Sequence, residues 1–67
     1  MIDARGLSCP MPVLMVQREV KKNNPKTIEV LVDNMTAVGN ITRFAASQHY
    51  DVHTEESGGD YRMTLWK

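Results

Sequence analysis

Apolar residues that recur with two different periods predict an α+β fold, a two-layer α/β sandwich of order β-α-β-α-β-β. A four-stranded mixed sheet carries two helices on one face. Three observations lead there. The β-branched run T-I-E-V-L-V alternates with period two, the stretches beginning at C-P-M-P and after V-D-N repeat their apolar residues at helical spacing, and a Gly-Gly pair separates two short alternating segments near the C-terminus. At 67 residues the chain holds one domain, 1–67, with a core only just large enough to outweigh the ordering entropy. With 42% hydrophobic and 24% charged residues it is too apolar to remain disordered.

Residues 2–5 form a short strand that ends at Gly6. Pro10 and Pro12 suit the first turn of a helix, where a missing N–H has no intrahelical partner to lose, so C-P-M-P reads as a helix start with Cys9 at or near the N-cap. Val13, Val16 and Val20 make its apolar stripe, and Asn23-Asn24-Pro25 stops it at about Asn23. Residues 27–32 are the next strand, with Ile28, Val30 and Val32 on one face. Asp33 and Asn34 break that strand and offer capping side chains to a helix over 36–48, whose inner face is Ala37, Val38, Ile41, Phe44, Ala45 and Gln48. Strands over 51–55 and 61–66 close a hairpin through Ser57-Gly58-Gly59-Asp60, where glycine supplies the positive φ of a tight turn. Right-handed crossovers then put both helices on the same side of the sheet.

Eight Lys and Arg against eight Asp and Glu leave no net charge, so no overall field holds a polyanion or an anionic membrane, and nucleic acid is disfavoured as a partner. No apolar run approaches the roughly 18 residues of a membrane span, and M-I-D-A-R-G-L is not a secretory signal, so no membrane association and a cytoplasmic location are expected. The chain stops soon after the hairpin, as a domain cut from a longer protein would.

Cys9 is the residue whose setting suggests chemistry. A thiolate is the nucleophilic form of cysteine, and a helix N-terminus or a nearby cation lowers the thiol pKa from about 8.5. Arg5 lies on the strand delivering the turn, where it is expected to favour the anionic forms of the sulfur. The competing reading makes Cys9 a buried, inert small hydrophobe. One thiol and two histidines fall short of a structural zinc site, there is no C-x-x-C, and phosphate- or dinucleotide-binding glycine motifs are absent, so neither metal nor cofactor is expected. Nothing in their spacing brings Asp3 and Asp33 together, and both read as turn and capping residues. Met11 and Met15, four apart on the first helix, form a candidate docking patch or else fill a core margin. Trp66, with Arg62 and Thr64, belongs to the sheet face away from the helices. There it caps the open sheet, with docking of a partner or stacking on a base as alternatives.

The segment D-A-R-G-L-S-C-P-M-P-V-L resembles the signature of the TusA/SirA family of small sulfur-carrier proteins, D-x-R-G-L-x-C-P-x-P-V. The V-D-N, N-I-x-R-F-A and hairpin segments also fall in family positions. The resemblance implies that Cys9 accepts sulfane sulfur as a persulfide from a cysteine desulfurase or other persulfide donor and passes it to a downstream acceptor protein, a sulfurtransferase-type activity without a cofactor. It further implies that Arg5, Gly6, Pro10 and Pro12 shape or polarise that site. The stretch A-V-x-N-I-T-R-F-A-x-S-Q-H-Y-D-V is more similar to the N-terminal domain of YedF-like proteins, a branch associated with selenium metabolism. The alternative from another class is a non-catalytic protein- or nucleic-acid-binding regulatory module with a structural Cys9.

Overall fold

The computed structural model describes residues 1–8 and 10–67. Its elements run β1 (Ile2–Asp3), α1 (Met11–Asn23), β2 (Thr27–Val32), α2 (Met35–Ser47), β3 (Asp51–Ser57) and β4 (Asp60–Trp66). They build the expected α+β sandwich, with a sheet ordered β1-β2-β4-β3. β1 lies parallel to β2, whereas β4 runs antiparallel to both β2 and β3.

Register explains the core. Ile28 faces Leu65 and Val30 faces Met63 across the β2 and β4 pair, and all four are buried. Pro12, Val16 and Val20 from α1 and Ala37, Val38, Ile41 and Ala45 from α2 close over them. Each buried Ile, Leu, Val or Met side chain contributes on the order of 1.5–3 kcal/mol relative to leaving it in water. The sequence stripe of α1 is displaced slightly, since Pro12 is buried and Val13 only partly so. Phe44 is likewise a margin residue and Gln48 is exposed.

The helix ends follow local chemistry. Asn34 is the N-cap of α2, its Oδ1 accepting from the Ala37 N–H at 2.8 Å, so the helix starts at Met35, one residue before the expected start. α1 ends at Asn24 in a left-handed conformation (φ 41°), with its N–H donating to the Val20 carbonyl. α2 ends through His49 (φ 66°), where the His49 N–H donates to Ala46 and the Tyr50 N–H to Ala45. That double bond is the Schellman arrangement, here without its usual glycine. Tyr50 is buried and its hydroxyl donates to the Pro25 carbonyl, fastening this corner to the loop after α1.

The two-residue turn Gly58-Gly59 (φ 59° and 88°) lets β3 and β4 pair from Asp51 opposite Trp66 to Ser57 opposite Asp60. Both strands therefore extend beyond the expected 51–55 and 61–66. β1 is shorter than expected because only Ile2 and Asp3 find Cα partners on β2, although the Ala4 N–H still donates to Leu31 at 2.8 Å.

Candidate functional site

The loop from β1 into α1 carries the D-A-R-G-L-S-C-P-M-P run, and almost every described residue in it is fastened to something. Ala4 is fully buried and Leu7 packs against the core margin. Between them, Arg5 and Gly6 are held by three carboxylates drawn from three parts of the chain.

Arg5 grips Asp3 as a two-pronged fork, Nε donating to Oδ1 at 2.9 Å and Nη2 to Oδ2 at 2.8 Å, and its Nη1 donates to Asp60 Oδ2 at 3.2 Å. The Arg5 N–H adds a 3.2 Å bond to Asp3 Oδ1. Asp60 lies at the start of β4, so Arg5 ties the loop to the hairpin. The Gly6 N–H donates to Asp33 Oδ2 at 2.7 Å, tying the next peptide to the end of β2. Gly6 has φ +77°, a conformation that costs an L-residue roughly 1–2 kcal/mol.

The charges follow the bonds. The Arg5 side-chain fork, followed by the Arg5 N–H, holds the Asp3 carboxyl down to about 2, against an ordinary 3.8. The Gly6 N–H, then the Asn34 side-chain amide, lowers Asp33. Asp3 and then Asp60 raise the already high pKa of Arg5.

Asp3 and Asp33 both accept from this loop, at the adjacent residues Arg5 and Gly6, a convergence their spacing does not signal, and Asn34 rather than Asp33 caps α2. The Arg5 guanidinium is paired with both Asp3 and Asp60. Asp60 had no signal in the sequence beyond its place in a turn, because its partner lies 55 residues away.

Pro12 lies in the first turn of α1, as the proline spacing predicts, whereas Pro10 is the N-cap, one position before the turn it was expected to occupy. The Met11 N–H donates to the Ser8 carbonyl at 2.9 Å. Among the described residues no side chain caps this end, and the first turn holds no acidic residue. The expectations for Cys9 itself, its N-cap position and its exposure or burial, lie outside the described residues.

Met11 is exposed (38%), and Met15 is half-buried against the core margin. Trp66 is exposed (41%) on the face away from the helices, as alternation predicts. On that face Arg62 donates to Glu29 across β2 and β4. Among the described residues, no group of three or more His, Cys, Asp or Glu could hold a metal ion, and no helix is long and apolar enough to cross a membrane.

The family described as sulfurtransferase TusA matches residues 1–67. The crystal structure of the SirA-like protein from Desulfitobacterium hafniense is similar at a TM-score of 0.87 and 28% identity, over 97% of this chain and 92% of that one. A match along the full length, on a fold whose loop from β1 to α1 carries the signature run, establishes that this chain belongs to the TusA family of sulfurtransferases, small sulfur carriers that serve donor and acceptor proteins.

Proposed function

We propose that the protein carries sulfane sulfur as a persulfide on Cys9. The observation that supports this most is the full-length family match of a chain with a single cysteine, set in the C-P-M-P segment of the signature run. In the first step the Cys9 thiolate attacks the outer sulfur of a donor persulfide, R–S–SH. One S–S bond breaks as another forms, giving Cys9–S–SH and the donor thiolate R–S⁻. In the second step an acceptor thiolate attacks that outer sulfur and Cys9 leaves as thiolate. No electrons are gained or lost overall, so the cycle needs no oxidant and no cofactor.

The donor is a cysteine desulfurase or another persulfide-bearing protein, and the acceptor is a second protein thiol. The start of α1, with no acidic side chain in its first turn, favours anions nearby. Arg5, Gly6, Pro10 and Pro12 hold the geometry of the segment. Likeness to the selenium-associated branch makes selenium a second cargo to examine in the same assay.

The test is incubation with a cysteine desulfurase and cysteine, followed by intact-mass spectrometry. The expected product gains one sulfur, about 32 Da, and loses it on thiol reduction. Cys9→Ser should unfold at the wild-type temperature and gain nothing. Wild type that never gains the mass, while the same donor charges another acceptor, refutes the proposal.

A further inference from the structure

We infer that Asp33, at the end of β2, is a positioning residue for the Cys9 nucleophile; this rests on the persulfide-carrier reading above. Gly6 precedes Cys9 by three residues in the sequence, and its left-handed peptide offers the amide to Asp33 Oδ2 at 2.7 Å. Space does not call for a glycine at position 6, since a Cβ would meet nothing within 4 Å. The glycine is therefore there for its φ, and the carboxylate of Asp33 is what that φ serves. The Asn34 side-chain amide donates to the other oxygen, Oδ1, at 3.2 Å, orienting the carboxylate. Asn34 is itself fixed as the cap of α2. A line of hydrogen bonds thus runs from the start of α2 through Asn34 and Asp33 to the peptide of Gly6. It fixes where the chain leaves the sheet on its way to the nucleophile. The Arg5 fork anchors the preceding residue independently, through Asp3 and Asp60.

Asp33 acts through hydrogen-bond geometry, and three variants separate that from charge and from docking. Asp33→Asn keeps an acceptor oxygen at the same reach, Asp33→Glu keeps the charge and moves the oxygen by one methylene, and Asp33→Ala removes both. Each is charged by a cysteine desulfurase with cysteine, and loading of Cys9 is followed by mass as a function of carrier concentration. The saturated loading rate should fall about tenfold in Asp33→Ala and in Asp33→Glu, and stay within about threefold of wild type in Asp33→Asn, with half-saturating concentrations unchanged throughout. Iodoacetamide alkylation of Cys9, which involves neither sulfur nor partner, should rank the variants in the same order.

If Asp33→Ala does not fold, the order of Asn over Glu decides. Glu loading as fast as Asn, Ala loading like wild type, or a defect confined to the half-saturating concentration overturns the positioning role. Variants that alkylate in the expected order, with a wild type that takes no sulfur, overturn the carrier reading and leave the positioning role standing.

Discussion

Gly6 and His49 occupy the same left-handed region, at φ 77° and 66°, with opposite residue choices, so exchanging glycine in and out of the two sites makes a reciprocal test. For Gly6→Ala the structure removes one of the usual unknowns. A Cβ would have no neighbour within 4 Å, so the cost is backbone strain alone, roughly 1–2 kcal/mol. Alanine returns about 0.5–1 kcal/mol by restricting the unfolded chain, leaving a net loss of about 0.5–1 kcal/mol. His49→Gly reverses both terms. The Schellman bonds at Ala45 and Ala46 are backbone bonds and survive the change, so a gain of about 0.5–1 kcal/mol is expected. For a domain of this size each kcal/mol moves the midpoint by roughly 4–8 °C, which places the two variants about 10 °C apart on either side of wild type. Thermal unfolding followed by far-UV circular dichroism reads the difference. The variants also part in chemistry. Gly6→Ala strains the left-handed peptide that offers the amide to Asp33 and so slows Cys9 alkylation, whereas His49→Gly leaves that rate alone. Equal midpoints, or a Gly6→Ala protein as stable as wild type that alkylates normally, would show that the loop does not need the left-handed peptide.

Other outcomes are equally specific. Ile41→Ala, at a fully buried position on α2, should cost about 2–5 kcal/mol in urea denaturation and leave little folded protein; a loss below 1 kcal/mol would mean that the helix layer repacks freely. Arg5→Lys retains the charge without the fork, so it should load sulfur no better than Arg5→Gln; full recovery by lysine would return Arg5 to an electrostatic role. The Asp3 carboxyl, lowered to about 2, gives a stabilisation complete above pH 3.8 and lost as the pH falls through 2, and a carboxyl NMR titration of Asp3 with an ordinary midpoint would contradict the fork. The Gly6 amide resonance should report the depressed titration of Asp33, and Asp33→Asn should abolish that pH dependence.

What could be read from the sequence was what local chemistry decides. The prolines at 10 and 12, the Asn23-Asn24-Pro25 stop and the Gly58-Gly59 turn each act within a few residues, and the helix and the hairpin they delimit stand where the spacing puts them. β3 outran its expected end because ladder pairing with β4 continues to the turn, a property of the partner strand more than of D-V-H-T-E-E-S itself. The carboxylate clamp was illegible for a different reason. Asp33 and Asp60 lie 27 and 55 residues from the groups they hold, and an aspartate beside a strand end or in a glycine turn is fully explained by local preference.

β4 follows the other five elements in sequence and yet is an inner strand of the sheet, joined to β2 on one side and β3 on the other, with Met63 and Leu65 fully buried. During synthesis, then, β2 and β3 have nothing to join them until residues 60–66 have emerged. An N-terminal fragment up to α2 holds β1 and β2 without the strand that completes their core. Because Asp60 arrives on that same strand, the third side-chain bond of Arg5 forms only when β4 docks. A half-made chain can therefore form the Asp3 fork and the Gly6 bond to Asp33 while still lacking the tie that joins this loop to the hairpin.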